Sequence, residues 1–362
     1  MNVYHAVAVA RANLPRLTLA QRVVDKIVKN ALVYETETGE SLIGCAVKVL
    51  GRPEPDLYVL STIAPDESAI RRGAYFEQGD DLQGDIFNWW FDNWNRYRDV
   101  RRKSFGAALG AKWDVPLAHL GDWHKHPGTL VEPSWGDTDT ARTHIADDEN
   151  KTPQLLALLA TVWTRRASEA EAIYANGAEN DQAKPLKIPV DDESVVRIDC
   201  WYISRLTHRF VRLTPQVVPD ATLPGLPIIG WHLANPARMR QEFEALTRDG
   251  YSISMDEQDI DDKPPLEICL TLAKPSSQSI LIVATVADYP AAMPTVYTVP
   301  MAAMKDIPKD APDSALFSTL WKIAEPLPKS DYPAWNWTPE KTILDLVYAV
   351  EAKLTEGSAA KK

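Results

Sequence analysis

The sequence predicts an α/β domain followed by an α+β domain. The chain has 362 residues, which is long for a single hydrophobic core and sufficient for two domains. Residues 213–230 contain four prolines, a composition typical of an extended linker. Helical and strand patterns alternate before this stretch, whereas a helix, a group of strands and a closing helix follow it. We therefore assign one domain to 1–215, a linker to 216–230, a second domain to 231–356 and a disordered tail to 357–362.

The spacing of apolar residues predicts the elements of the first half. An amphipathic helix is predicted for 19–34, an aromatic and then basic helix for 86–103, and a further helix from 133 onwards. Strands are predicted within 35–51 and at 57–64, 117–127, 155–165 and 195–206. The polar stretch 167–194 contains proline and glycine and is predicted to be a loop or insertion.

The aromatic helix and the second half each leave an alternative open. The run WWFDNWNRYR favours core packing, and a docking face for a partner is the alternative. In the second half, helices are predicted for 235–250 and 340–354, with strands at 266–273 and 279–287. The pair Thr338-Pro339 is typical of the N-cap and first position of the closing helix.

Charge and cysteine content restrict the classes of partner. The net charge of −11 disfavours binding to nucleic acid, because phosphate backbones are repelled by an acidic surface. No apolar run approaches the roughly 18–20 residues of a membrane span, and the N-terminus lacks the pattern of a signal peptide. Cys45, Cys200 and Cys269 lie far apart among apolar residues, so we expect buried free thiols in a reducing cytoplasm.

Two histidines and an aspartate have the spacing of a metal centre. His124 and His126 are two residues apart on a predicted strand, so their side chains point to the same side. Asp137 lies near a predicted helix start and can supply a third ligand. Imidazole and carboxylate suit zinc, and three protein ligands leave a fourth tetrahedral position open, as in catalytic zinc sites. The sequence therefore predicts a Zn²⁺ site at these residues.

A hydrolytic zinc site also needs a base and a group that stabilises the oxyanion. Glu37 stands at a turn before a strand, and we predict that it accepts the proton of the attacking water. Ser134 can donate a hydrogen bond to the oxyanion that forms on the attacked carbonyl. These two residues are our candidate catalytic residues.

Each element also has a structural interpretation when it is taken alone. A pair such as His124-Lys-His126 is more often exposed or part of a core than a metal site. Ser134 and Asp137 have the spacing of a capping box, a role compatible with presenting the aspartate to a metal. Glu37 alone is a turn residue in an acidic stretch. The combination, rather than any single residue, indicates zinc.

The run E-T-G-x-x-L-x-G from Glu37, followed by H-x-H-P-x(6)-S-x-x-D from His124, resembles the motif of the JAMM (JAB/MPN) metallopeptidases. This resemblance spans about residues 1–215. It implies a cytidine-deaminase-like α/β fold, zinc ligands at His124, His126 and Asp137, a base at Glu37 and an oxyanion partner at Ser134. The chain departs from the family pattern at Glu40, where prokaryotic relatives often have glycine, and in the long insert 66–115.

The second half resembles ubiquitin-conjugating and RWD domains. Residues Tyr289-Pro290, with Pro294 four residues later, are similar to the Y-P-x-x-x-P segment, and Trp337-Thr-Pro339 is similar to the W-x-P segment before the last helix. A conjugating enzyme needs a thiolate between these landmarks, and 297–336 contain no cysteine. The resemblance therefore implies an inactive, binding variant of the fold. An unrelated α+β domain is the alternative.

Together these resemblances imply a zinc-dependent isopeptidase or peptidase that cuts after the C-terminus of a ubiquitin-like protein. The implied partners are that protein and its conjugates, together with the activating and conjugating enzymes of a bacterial ubiquitin-like modification or antiphage system. Two other functions stay open: a scaffold that binds ubiquitin-like proteins without cutting them, and a peptidase for small sulfur-carrier proteins.

Overall fold

The computed structural model describes residues 13–73, 75–78, 80–148, 150, 152–167, 183–260, 263–306, 313–328 and 336–359. The chain divides into two compact units, Met1–Leu226 and Pro227–Lys362. In the described part of the chain, no helix is both long enough and apolar enough to cross a membrane.

The first unit contains eleven described strands and four described α-helices. The strands are β1 Leu17–Ala20, β2 Gly39–Val47, β3 Asp56–Ile63, β4 Ile70–Arg72, β5 Tyr75–Glu77, β6 Ala118–Lys125, β7 Gln154–Thr164, β8 Leu186–Pro189, β9 Ser194–Ser204, β10 Val211–Leu213 and β11 Pro215–Val218. The helices are α1 Gln21–Val33, α2 Asp81–Arg96, α3 Arg98–Lys112 and α4 Trp135–Ala146, and a 3-10 turn spans Asp220–Thr222.

One mixed sheet organises this unit. Its strand order is β10-β9-β7-β6-β2-β3-β1-β11, with β8 paired to β9. Strand β6 lies between β2, which runs antiparallel to it, and β7, which runs parallel. Helix α1 buries one side, through Val23, Val24, Ile27 and Ala31, and packs against β3 and β7. A separate hairpin is formed by β4 and β5.

The predicted helix 86–103 is instead two helices that meet at Tyr97. The guanidinium of Arg101 turns back to donate to the carbonyl of Trp94 at 2.6 Å and lies over its indole ring. Trp89, Trp90 and Trp94 are at most 5% exposed, which confirms core packing for these tryptophans. Phe91 is exposed on the same helix.

The structure departs from two predictions about loops. The stretch 167–194 contains strand β8, which pairs with β9, although 168–182 lie outside the described residues. Strand β11 begins at Pro215, extends into the first three residues of the predicted linker and pairs in parallel with β1, whereas the division between the two units, after Leu226, lies within that linker. Both strands are short edge additions that depend on a distant partner, so their local composition carries little signal.

The second unit is an antiparallel meander with helices. Its strands, in sheet order, are β12 Ser252–Gln258, β13 Glu267–Ala273, β14 Ser279–Thr285, β15 Thr295–Pro300 and β16 Glu325–Pro326. Its helices are α5 Trp231–Ala234, α6 Pro236–Arg248, α7 Asp313–Trp321 and α8 Ile343–Ala359, with a 3-10 turn at Met301–Asp306. The core cluster of this unit contains Cys269, Ile280, Ile282, Ala284, Val299, Phe317 and Leu320. All three cysteines are free and buried, as the sequence predicts.

Helix α8 differs from prediction at both ends. It begins at Ile343, and Thr342 rather than Thr338 supplies the capping hydrogen bonds. The Thr342 amide donates to Asp345 Oδ2 at 2.8 Å, and the Asp345 amide donates to Thr342 Oγ1 at 3.2 Å. This reciprocal pair satisfies two amides of the first turn, which a cap at Thr338 cannot reach. Residues 357–359 of the tail are helical, and 360–362 lie outside the described residues.

Candidate metal centre

His124 and His126 lie where the central strand of the first sheet ends. His124 is the partner of Gly39 on β2 and of Leu159 on β7, so the strand is held on both edges. The His126 amide donates to the Ala160 carbonyl at 2.9 Å, which continues the pairing with β7 one residue beyond β6. Backbone hydrogen bonds to neighbouring strands therefore fix the positions of both imidazoles.

Gly39 is required by the close approach of β2 and β6. A Cβ atom added there would lie 2.2 Å from the Trp123 carbonyl oxygen and 2.9 Å from the Cβ of His124. Neither neighbour is the far end of a flexible side chain, so the strands would have to separate. The glycine of the E-T-G run thus permits the histidine strand to lie beside the strand that follows Glu37.

Replacing Gly39 by alanine is expected to lower both the stability and the zinc affinity of the first unit. Overpacking of this kind costs about 1–3 kcal/mol, and the displaced segment carries His124. Gly84→Ala is the matched control, since a Cβ at Gly84 meets no atom within 4 Å. Urea unfolding and zinc titration check the prediction; equal loss in both variants would contradict it.

Asp137 is oriented by the start of helix α4. Ser134 is the N-cap: the Asp137 amide donates to Ser134 Oγ at 3.1 Å, and the Ser134 amide donates to Asp137 Oδ2 at 2.6 Å. The capping-box interpretation of this pair is therefore confirmed. The same hydrogen bonds turn the carboxylate of Asp137 towards the histidines.

The three side chains converge on one point. Nε2 of His124 and Nε2 of His126 are 2.9 Å apart; Nε2 of His124 lies 3.6 Å from Oδ1 of Asp137, and Nε2 of His126 lies 3.6 Å from Oδ2 of the same carboxylate. Tetrahedral zinc with bonds of about 2.0–2.1 Å separates its ligand atoms by about 3.3 Å. The observed spacings bracket that value, so the donor set fits a zinc ion.

The surroundings shift the pKa values of the three groups in different directions. Burial lowers the pKa of His124 to about 4, so its imidazole is neutral near pH 7. Burial acts in the same direction on His126, but the hydrogen bond and charge of Asp137 outweigh it and raise the pKa of His126. Burial opposes ionisation of Asp137, yet its hydrogen bond with His126 and the charge of His124 hold its pKa well below the usual range.

The loop after β6 determines which nitrogen of His126 faces the centre. His126 Nδ1 lies 3.1 Å from the carbonyl oxygen of Leu130. A carbonyl oxygen only accepts hydrogen bonds, so Nδ1 carries the proton in this pair. In the neutral ring, Nε2 then keeps its lone pair and points towards Asp137, as a ligating nitrogen must.

Glu37 lies two residues before β2, next to the β4–β5 hairpin, and the charges of His126 and Asp137 act on its carboxylate. Its amide donates to the Arg72 carbonyl at 3.1 Å, and the carbonyl of the next residue, Thr38, accepts from the Lys125 amide at 2.7 Å. Burial raises the pKa of Glu37; the charge of His126 opposes this rise and the charge of Asp137 adds to it. A raised pKa brings a carboxylate closer to the range useful for a general base.

Glu40 is engaged elsewhere. It is 2% exposed, and its carboxylate accepts from Asn30 Nδ2 at 2.6 Å and from the Thr62 hydroxyl. Lys26 Nζ lies 2.8 Å from its Oε2 atom. The carboxylate therefore ties α1 to β2 and β3, which gives a structural reason for glutamate where the resembled family often has glycine.

Sequence reasoning missed two contributors to this centre. Asp122 precedes His124 by two residues, and its charge favours the protonated form of that histidine. Its Oδ1 accepts from Ser41 Oγ at 3.1 Å and from Gln78 Nε2 at 2.8 Å. The continued two-residue spacing 122, 124, 126 was a signal for Asp122, whereas the Leu130 carbonyl is a backbone group and leaves none.

No protein-family model matches this chain, and a comparison with curated proteins finds no match either. The centre is therefore characterised by its own geometry: three converging ligand atoms, a partly buried carboxylate beside them and a capped helix at one edge. A site of this composition fits metal-assisted chemistry on a carbonyl group.

Proposed function

We propose that the chain is a zinc-dependent peptidase of the JAMM class that hydrolyses the amide bond after the C-terminus of a ubiquitin-like protein. The observation that carries the proposal is the convergence of His124, His126 and Asp137, two of which also act electrostatically on the carboxylate of Glu37. These four residues come from three separate segments of the chain. A scaffold that only binds has no need for a base next to three ligands.

The roles of the side chains follow from their positions. His124, His126 and Asp137 would hold the zinc, which would polarise the scissile carbonyl and lower the pKa of a water molecule. Glu37 accepts the proton of that water as its oxygen joins the carbonyl carbon, and then delivers the proton to the departing amine nitrogen. The carbon–nitrogen bond breaks, one product gains a carboxylate, and the other leaves as an amine.

Ser134 contributes a hydrogen-bond donor at the edge of the centre. Its Oγ accepts from the Asp137 amide in the capping box, and this use as an acceptor leaves the hydroxyl proton for another partner. The hydroxyl can therefore donate to the oxyanion that develops on the attacked carbonyl. One residue then serves both the helix start and the reaction.

The arrangement of the first sheet supports a JAB/MPN-type fold for this unit. Helix α1 precedes β2, Glu37 stands just before β2, and β2 pairs directly with the strand that carries the histidines. Helix α4 then returns Asp137 to the end of that strand. This order of elements gives a physical reason for the distant spacing of the E-T-G and H-x-H-P runs.

The packing of the second unit supports its resemblance to ubiquitin-conjugating domains. The two landmark segments meet: Trp337 Nε1 donates to the Pro290 carbonyl at 2.6 Å, and the rings of Tyr289 and Trp337 are 5.8 Å apart. The Tyr289 hydroxyl donates to the buried carboxylate of Glu242 on α6. The motif residues thus form one packed cluster that ties α6 to the segment before α8.

The thiol of the second unit is unsuited to carrying a thioester. Cys269 lies in the middle of β13 and is completely buried. Burial raises the pKa of Cys269 far above its ordinary value, which disfavours the nucleophilic thiolate. We therefore propose that this unit binds a ubiquitin-like protein or another enzyme of a bacterial modification or antiphage system.

Removing the second unit is expected to weaken binding of a protein substrate and to leave the chemistry intact. A fragment of residues 1–226 should retain zinc and show a KM at least about tenfold higher on a ubiquitin-like fusion, with kcat nearly unchanged. A short peptide substrate provides the control, because full-length chain and fragment should cleave it equally. Equal KM values on the fusion protein would contradict the docking role.

The reaction itself is tested by cleavage in ¹⁸O-labelled water. Zinc-loaded protein is incubated with ubiquitin-like fusions, and the mass of the product that carries the new C-terminus is measured by mass spectrometry. Hydrolysis adds one ¹⁸O atom to that carboxylate, and chelation of zinc abolishes the product. Binding of the fusion without any cleavage would favour the scaffold, and cleavage restricted to sulfur-carrier fusions would favour the third function.

A further inference from the structure

Trp201 reaches the metal-site loop from a neighbouring strand. It lies on β9, which is separated from β6 by β7. Its indole Nε1–H donates to the carbonyl oxygen of Val131 at 2.9 Å. Val131 belongs to the loop between His126 and Ser134. This hydrogen bond therefore connects β9 to the segment that joins the two histidines to the helix start that carries Asp137.

The next carbonyl along this loop holds the ligand itself. Leu130, which directly precedes Val131, accepts a hydrogen bond from Nδ1 of His126 at 3.1 Å. Each of these two neighbouring carbonyls therefore has one side-chain partner: His126 for Leu130, and Trp201 on β9 for Val131. The Leu130 and Val131 carbonyls lie in adjacent peptide planes that meet at the Cα of Val131, so only the two backbone dihedral angles of Val131 separate the carbonyl held by Trp201 from the carbonyl that faces His126.

We propose that Trp201 is a positioning residue for the metal centre. Through Val131 it holds the Leu130 carbonyl where it accepts from Nδ1 of His126, which keeps Nε2 of that ring directed at the metal position. The inference rests on the proposed zinc site. Groups that hydrogen-bond to a ligating histidine orient its ring towards the metal. Trp201 would support such a group, the Leu130 carbonyl, although it belongs to no recognised motif.

Trp201 also packs against the neighbouring strand. Arg212 on β10 is its cross-strand partner, and the guanidinium lies 4.7 Å from the centroid of the indole ring. Nη2 of Arg212 is 3.3 Å from Oδ1 of Asp199, a fully buried carboxylate on β9. A donor clamped in this way can orient a loop carbonyl, whereas a mobile side chain could not.

Trp163 provides a matched control within the same sheet. Its indole also lies against an arginine, Arg197, at 4.8 Å, and that arginine also pairs with Asp199, at 2.6 Å. Its indole N–H donates to Thr161 Oγ1 at 2.8 Å, on its own strand. The two tryptophans therefore share ring stacking and a satisfied N–H, and they differ in whether the acceptor belongs to the metal-site loop.

Phenylalanine at each position removes the N–H donor and keeps an aromatic ring. We expect Trp201→Phe to weaken zinc affinity about tenfold, the lower end of the effect of outer-shell partners. We also expect it to alter the visible absorption spectrum of the Co²⁺-substituted protein, because the His126 ring loses its fixed orientation. Trp163→Phe should leave both unchanged, although each variant loses one hydrogen bond. Identical zinc affinities and cobalt spectra in the two variants overturn the proposal.

The unmodified chain gives a second measurement, which is independent of whether Trp201→Phe folds. In ¹⁵N-labelled protein, zinc should slow hydrogen exchange of the Trp201 indole N–H and leave that of Trp163 unchanged. If zinc changes the exchange rates of the two indole N–H groups equally, the role of Trp201 is overturned, but the assignment of the zinc site is not affected. Failure of the unmodified chain to bind zinc at all rejects the proposed function instead, so the two failures are distinguishable.

Discussion

Replacing Glu37 by glutamine is expected to remove nearly all peptide hydrolysis while the protein stays folded and keeps its zinc. The amide has almost the same shape as the carboxylate but accepts no proton, and a general base contributes about 10²–10⁴-fold to the rate. Because Glu37 is a base and not a ligand, we expect the loss in kcat rather than in zinc content. Steady-state kinetics and metal analysis of the same sample check this.

Glu40→Gln is the matched control, three residues further along the chain. Its carboxylate is buried among Asn30, Thr62 and Lys26, so the substitution leaves these partners poorly satisfied. We expect a loss of about 1–3 kcal/mol in the free energy of unfolding and nearly normal kcat in the folded fraction. An active Glu37→Gln variant together with an inactive, fully folded Glu40→Gln variant would show that Glu40 is the base and would contradict the assignment of Glu37.

Replacing His126 by alanine is expected to remove the zinc and, with it, all activity. The substitution deletes one of three ligands, so the affinity should fall by well over the roughly 10–100-fold that outer-shell changes cost. His144→Ala is a suitable control, since His144 lies on the same helix as Asp137 but outside the ligand group. Zinc titration of both variants provides the comparison, and full zinc occupancy of His126→Ala would contradict the ligand assignment.

The elements that the sequence predicted well are those whose pattern is local. Helix α1 shows its apolar face within 13 residues, and the two-residue spacing of His124, at the end of β6, and His126, just beyond it, is visible in the local sequence. The elements that were missed depend on distant partners. Strand β11 exists because β1 lies beside it, and the break at Tyr97 accompanies the return of the Arg101 side chain onto Trp94. No window of neighbouring residues contains that information.

The same distinction applies to the candidate site. The ligand types and their spacing are visible in the sequence, and in the structure the ligand atoms of His124, His126 and Asp137 lie within 4.8 Å of one another. The support of that group is invisible there, because Leu130 and Val131 contribute only backbone carbonyls. Gly39 lies between these cases: its presence is evident in the sequence, but the reason for it appears only when β6 is seen to pair closely with β2 beside it.

The zinc centre is tested most directly by anomalous scattering at the zinc absorption edge from crystals of the zinc-loaded protein. We predict one strong peak per chain, about 2.0–2.1 Å from Nε2 of His124, from Nε2 of His126 and from a carboxylate oxygen of Asp137, with a water molecule in the fourth position. A peak that is bound by other residues, or zinc-loaded crystals with no peak between these three side chains, would contradict the metal centre and the hydrolytic function built on it.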